Sequence, residues 1–381
     1  MTDFSVMAKP TGSLCNMQCS YCYYLNADNG SAPPRMSDEI LEQYIRSYIE
    51  SIDGNTVSFT WHGGEPTLAG LDFYRKAVSL QKQYLPEGKQ CWNNLQTNGL
   101  NLNDEWCRFL KENHFDVGIS IDGTRYVHDL YRKDTAGRGT WERVRDSVLR
   151  LKKYGIKADL LCTVTSDTAQ NGKSVYQALR KLDTGWIQFI PIVRKDENGV
   201  TEDSVTPELY GKFLKDVFRE WASHDMGKTN VQLFSETALV LAGGRPNVCW
   251  LAETCGTVLI VERDGGIYSC DHFVDQKHLI GNLMTDNLRD LIDSDVQKKF
   301  GNAKRDSLVR ECRACPYLKI CGGGCLKDRF SVSSDGEQGQ YYLCKGLLQY
   351  FDYAVPLFEK AMDYSRRGYT SAKIMQELFR K

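Results

Sequence analysis

Cys15, Cys19 and Cys22 stand in one short stretch, separated by three and then two residues. Thiolates this close together are ligands for soft metals, and two kinds of site suit the spacing. A zinc site is normally closed by a fourth Cys or His, and none follows nearby. A [4Fe–4S] cubane fits better, because three thiolates hold three irons and leave the fourth open to a ligand that is not protein. Cysteines return near the C-terminus as Cys255-x9-Gly265-x4-Cys270, Cys312-x2-Cys315-x5-Cys321-x3-Cys325 and Cys344. Cys312-x2-Cys315 alone is an acceptable zinc half-site, but with Cys249 the set supplies eight thiolates, enough for two fully ligated clusters. Such clusters bind no substrate and can carry electrons. Cys107 and Cys162 lie in apolar helix and strand contexts and read as packing residues; Cys91 reads as incidental.

The elements that must position these thiolates alternate in type. Strand-like runs occur at Phe4–Ala8, Val57–Trp61, Trp92–Gln96, Val117–Ile121, Asp159–Val164 and Trp186–Ile190. Helical spacing separates them, as in Ser37–Ile49, where Ser37 can cap the first turn and Ile40, Leu41, Tyr44, Ile45, Tyr48 and Ile49 form one apolar face. Six strand–helix repeats predict a parallel sheet, since each parallel crossover needs a helix to return the chain. A partial barrel and a doubly wound sheet both fit, and both gather sites at the carboxyl ends of the strands. The first cysteine loop follows the first strand, Gly63-Gly64-Glu65-Pro66 ends the second, Leu95–Gly99 the third, and Ser120 and Asp122 the fourth. After Gly243-Gly244-Arg245-Pro246 the segments shorten, and Thr257–Glu262, Arg263–Gly266 and Ile267–Cys270 read as a hairpin with an Asp-Gly turn. Leu347–Met362 and Ser371–Phe379 read as helices.

Bulk properties narrow the class. A length of 381 residues predicts more than one domain, and 41% hydrophobic with 25% charged residues is ordinary globular composition. A net charge of −1 with interspersed signs gives no nucleic-acid footprint, and no apolar run reaches the ~20 residues of a membrane helix. The N-terminus has no signal-peptide pattern, which predicts a cytoplasmic protein. Fourteen cysteines in that reducing setting point to metal binding and not disulfides.

With Tyr21 before its last cysteine, the first loop resembles the radical S-adenosylmethionine (SAM) signature, and Gly63–Pro66 resembles that superfamily's motif for the SAM amino group. The later cysteines are similar at every interval to the SPASM module. The resemblance implies a partial (β/α)6 radical SAM barrel over residues 1–235, a C-terminal cysteine-rich SPASM domain over 236–345 and a helical segment over 346–381. It further implies SAM and three [4Fe–4S] clusters: one on Cys15, Cys19 and Cys22, a first auxiliary cluster on Cys249, Cys255, Cys270 and Cys325, and a second on Cys312, Cys315, Cys321 and Cys344. SAM contacts are implied for Tyr21, Gly64, Ser120, Arg132 and Val193, the last standing where the family has Leu.

Segments including Ala8-Lys9-Pro10, Cys19–Tyr24, Gly63–Gly70, Gly118–Gly123 and Tyr268–Asp271 are most similar to the anaerobic sulfatase-maturating enzymes. The likeness implies oxidation of a Cys or Ser of an unfolded or nascent sulfatase, in a Cys/Ser-x-Pro-x-Arg segment, to formylglycine. Asp271 would accept the proton, and Tyr24 and His62 would face the target; His62 departs from the Gln of clostridial-type members. A flavodoxin- or ferredoxin-type reductant and a monomeric state are expected. The competing reading is a peptide maturase forming thioether or carbon–carbon crosslinks, against which the few residues before Cys15 argue, since they leave no leader-binding module. An electron-transfer protein without radical chemistry would leave Gly63–Pro66 and the missing fourth ligand unexplained.

Overall fold

The computed structural model describes residues 4–25 and 33–379. Packing divides the chain into two compact units, neither continuous in sequence. The first comprises Met1–Ser120, Asp129–Ala158 and Cys255–Ala303; the second comprises Ile121–His128, Asp159–Thr254 and Lys304–Lys381.

The first four expected strands belong to the first unit: β1 (Ser5–Lys9), β2 (Thr56–Trp61), β3 (Gln90–Thr97) and β4 (Phe115–Ser120). They pair in parallel in that order, with registers such as Ala8↔Trp61, Trp61↔Leu95 and Leu95↔Val117. Alternation drives the local folding: Val57, Phe59 and Trp61 of β2 point to one face and are buried. The covering helix, Asp38–Ser51, is capped by the Ser37 hydroxyl, which accepts the Ile40 N–H at 3.2 Å. It buries Leu41, Tyr44, Ile45, Tyr48 and Ile49, while Ile40 lies at the rim. The Tyr44 ring meets Phe59 and Trp61 edge-on at 5.5 and 5.6 Å.

The cysteine-rich hairpin does not stand apart from this sheet. Val258–Glu262 pairs in parallel with the free edge of β1, placing Lys9 opposite Glu262. Gly266–Tyr268 returns antiparallel through a turn in which Gly265 has φ +87°, and Leu279–Asn282 follows at the edge. An open strand edge offers unpaired backbone groups, and a distant segment satisfies them here. Hydrophobic pattern cannot reveal that long-range pairing.

In the second unit, β5 (Asp159–Val164) and β6 (Trp186–Pro191) pair in parallel, and Asn230–Val231 pairs in parallel with β6. Its helical layer is held by aromatic rings: Phe218 and Trp221 of the helix Pro207–His224 pack on Phe234 and on Phe358 of the long helix Cys344–Arg366. Among the described residues no helix is long and apolar enough to cross a membrane.

Candidate functional site

Parallel strands β1 to β4 end on one edge of the first unit, and the chain leaves each as a loop carrying polar groups. Cys15, Cys19 and Cys22 line one cavity there with Ser13, Met17, Tyr24, Leu25 and Gly64. The loop is fixed from two sides. Gly64 N–H donates to the Gly12 carbonyl at 2.7 Å and Glu65 N–H to the Leu14 carbonyl at 2.8 Å. Opposite, Gln18 and Ser20 donate backbone N–H groups to the carbonyls of Lys133 and Tyr131 at 2.8 and 3.2 Å. Gly64 is required by this approach, since a Cβ there would lie 2.3 Å from the Leu14 oxygen.

Glu65 is fully buried and organises the loop ends. Its carboxylate accepts from Thr67 N–H at 3.0 Å, Thr97 hydroxyl at 2.7 Å and Asn98 N–H at 2.8 Å. Burial raises its pKa, against the pull of these donors. Asn98 in turn donates to Asn16 at 2.7 Å and approaches the Cys15 sulfur at 3.6 Å. Tyr21 is buried with the Arg132 guanidinium 5.4 Å from its ring centre and Tyr131 at 5.6 Å. The Ser120 hydroxyl accepts from Gln96 at 3.2 Å. In the second unit Val193 is buried, and the Asp122 carboxylate accepts the Thr163 N–H at 2.8 Å, as expected of a structural anchor.

A second constellation surrounds Asp271. Lys9, at the end of β1 and 0% exposed, puts Nζ 2.6 Å from Asp271 Oδ1, 3.9 Å from Glu262 and 3.6 Å from the centre of the Tyr24 ring. Asp271 Oδ2 accepts the Tyr23 hydroxyl at 2.5 Å, and the Tyr24 hydroxyl donates to Glu262. Burial alone would raise Asp271, but Lys9, 2.6 Å away, outweighs it and holds the carboxyl well below its ordinary range. Burial raises Glu262 while Lys9 pulls against it. His62 follows β2; its Nδ1 accepts the Gly63 N–H at 2.7 Å, so the neutral ring carries its proton on Nε2. Burial lowers the His62 pKa, which keeps that ring neutral.

The expected residues Tyr24, His62 and Asp271 therefore come together in one unit, and sequence reasoning missed Lys9, Tyr23 and Glu262 as members of the group. The available signal was a lysine closing an otherwise apolar buried strand. Its partner Glu262 becomes visible only through the pairing of two distant strands.

The remaining thiols fall into sets. Cys312, Cys315, Cys321 and Cys344 line one cavity with Glu311, Tyr317, Gln340 and Phe351. Cys249 and Cys325 lie in the second unit, close enough that Cys249 disfavours charge on Cys325. Cys255 and Cys270 lie in the first, where Gln297 Nε2 donates to the neighbouring carbonyls of Gly256 and Ser269 at 3.0 and 3.3 Å. Cys15, Cys19 and Cys22 in one cavity, and Cys312, Cys315, Cys321 and Cys344 in another, are thiol sets of the kind a multi-iron cubane needs. Burial pushes Cys15 and Cys344 up to about 12 and Cys321 and Cys325 up to about 11, so ligation has to displace a proton from each.

Comparison with known proteins matches residues 10–173 to the radical SAM superfamily and residues 249–316 to an iron–sulfur cluster-binding domain, SPASM. A serine-type anaerobic sulfatase-maturating enzyme of Bacteroides thetaiotaomicron is 39% identical over 98% of this chain and 94% of its own. A cysteine-type counterpart from Clostridium perfringens is 33% identical over 93% and 97%. A solved structure described as native anSMEcpe with bound AdoMet and Kp18Cys peptide superposes with a TM-score of 0.88 at 31% identity, covering 95% of this chain and all of the other. Its fold is the one expected here: a radical SAM sheet with helices and a SPASM domain.

Proposed function

The chain belongs to the anaerobic sulfatase-maturating enzymes of the radical SAM superfamily, and from that premise we propose that it oxidises a Cys or Ser in a Cys/Ser-x-Pro-x-Arg segment of an unfolded or nascent sulfatase to formylglycine. The observation that carries this reading is the Lys9-held carboxylate of Asp271, one residue beyond a cluster-type cysteine and grouped with His62 and Tyr24.

Cys15, Cys19 and Cys22 would hold a [4Fe–4S] cluster, which with SAM bound would supply the 5′-deoxyadenosyl radical for hydrogen abstraction at the target β-carbon. The chain's own groups do the rest. Tyr21, Gly64, Ser120, Arg132 and Val193 are assigned to hold SAM. Gly64 does so by leaving room beside the cysteine loop, and Arg132 by its charge, close to Tyr21. His62 offers its Nε2–H and Tyr24 its ring to the target side chain. Asp271 takes the thiol or hydroxyl proton. A carboxylate held this low is too weak to deprotonate a resting thiol of pKa near 8.5. Transfer becomes favourable once the β-carbon carries the radical and its electron can leave with the proton. Cys249, Cys255, Cys270 and Cys325, and separately Cys312, Cys315, Cys321 and Cys344, would hold two auxiliary clusters, which would supply an acceptor for the electron. A flavodoxin- or ferredoxin-type reductant, action in the cytoplasm and a monomeric state complete the reading.

The test is mass spectrometry of sulfatase-type peptides in Cys and Ser versions after anaerobic incubation with reconstituted enzyme, SAM and reductant. An aldehyde at the target residue is expected. Abundant 5′-deoxyadenosine with both peptides unchanged would move the substrate to another class.

A further inference from the structure

Outside the Asp271 group, another cation is withdrawn from water entirely. Lys304 is 0% exposed, and its Nζ is caged by the carbonyls of Cys249 at 2.8 Å, Trp250 at 3.0 Å and Ala252. Arg329 lies against the same region: its guanidinium donates to the carbonyls of Gly323 at 2.8 Å, Gly322 at 3.0 Å and Lys304. Both therefore hold loops that carry cysteines, Cys249 in one and Cys321 and Cys325 in the other. Burying an ammonium is costly, and these carbonyl dipoles offset that cost.

The loop is shaped around these charges. Gly322, Gly323 and Gly324 have φ of +57°, +76° and +71°. A Cβ on Gly322 would lie 2.3 Å from the Leu251 oxygen, and one on Gly323 would lie 2.5 Å from the Arg329 guanidinium. Side chains at these positions would push Lys304's cage and Arg329 away from the thiols.

The charges act on the cavity lined by Cys312, Cys315, Cys321 and Cys344. Gly323, whose carbonyl accepts from Arg329 at 2.8 Å, lines that cavity, and the Ala252 carbonyl that accepts from Lys304 lies against Gly322, the residue after Cys321. Glu311 faces the same cavity and acts the other way, but its carboxylate is engaged by the Ser334 N–H at 2.9 Å and hydroxyl at 3.0 Å. One-electron reduction makes a cluster more negative, and a fixed positive charge in a low-dielectric surround favours the more negative state.

We infer that Lys304 and Arg329 are redox-positioning residues that raise the reduction potential of the cluster on Cys312, Cys315, Cys321 and Cys344, so that it draws the electron released by the target. The inference rests on the proposed oxidation for the electron's source. There the β-carbon radical loses one electron, its thiol or hydroxyl proton goes to Asp271, and the cluster is reduced by that one electron.

The test needs no substrate, so it stands or falls apart from the proposed activity. In the full-length chain carrying Cys15→Ala, Cys19→Ala and Cys22→Ala, only auxiliary clusters give a signal, and an anaerobic redox titration followed by electron paramagnetic resonance reads their midpoints. Lys304→Met is expected to make reduction of one cluster at least tenfold less favourable, about 59 mV for one electron. Lys304→Arg, which keeps the charge, should restore it. Arg329→Gln should shift the same cluster in the same direction, with rescue by Arg329→Lys. If Lys304→Met loses iron, the Arg329 pair decides alone. Unchanged midpoints in iron-replete Lys304→Met or Arg329→Gln protein, or equal shifts in the charged and uncharged replacements, overturn the inference.

Discussion

Two groups within 3 Å, Lys9 and Asp271, set the chemistry available at the site. Asp271→Asn keeps the shape and removes the proton acceptor. Formation of 5′-deoxyadenosine should continue while aldehyde yield falls roughly 10²–10⁴-fold, measured on the same peptide by mass spectrometry; near-normal aldehyde would remove Asp271 from the mechanism. Lys9 makes a prediction about pH. In the native protein Asp271 is ionised at any working pH, and His62 is neutral above 6.5, its ordinary value, because burial lowers it. The rate should show no acid limb from either group above that pH. Lys9→Met removes the main charge opposing the burial of Asp271, so the folded carboxyl pKa rises. Activity then becomes dependent on pH, lost as pH falls through the raised value, and an unchanged profile would contradict the assigned role.

At the level of elements, the first cysteine loop is a surface segment given its shape by the loops after β2 and β3. Glu65 ties Thr67, Thr97 and Asn98 together, and Gly64 permits the cysteine loop to lie directly on the Gly63–Pro66 turn. Gly64→Ala places a methyl group 2.3 Å from the Leu14 oxygen, a backbone atom that yields only if the loop moves. Overpacking of this kind costs about 1–3 kcal/mol. The expected result is loss of iron from the Cys15, Cys19 and Cys22 site and weaker SAM binding, with auxiliary iron retained; iron analysis and equilibrium SAM binding measure it. Full iron content with unaltered SAM affinity would show that the close approach is dispensable.

For the whole molecule, metal loading is coupled to protonation and to the two packing units. Buried thiols with pKa values of about 11 to 12 release protons on ligation, so cluster assembly should become more favourable as pH rises. Replacing Cys15, Cys19 and Cys22 by Ala should leave the remaining iron in place, because among the described residues no other cysteine lines that cavity. Replacing Cys321 by Ala opens the cavity inside the second unit, where Cys312, Cys315 and Cys344 also lie. It should lower the melting temperature more than the triple replacement does, as read by anaerobic calorimetry.

Much was legible beforehand because it is local. The strands β1 to β6, the Ser37-capped helix and the cysteine spacings follow from periodicity and residue type over a few residues, and the family follows from motifs in their order along the chain. Tertiary structure alone decided which charges share a space. Lys9 reads in sequence as the end of a strand and Glu262 as the start of a turn; they become neighbours because Val258–Glu262 pairs with β1, more than 240 residues away. Lys304 and Arg329 likewise look like ordinary surface residues until the carbonyls of Cys249, Trp250 and Ala252 close on the first and those of Gly322 and Gly323 on the second. Sequence pattern encodes which face of an element is apolar. The field at a buried carboxylate or thiol depends on distances between elements, and those exist only once the chain has packed.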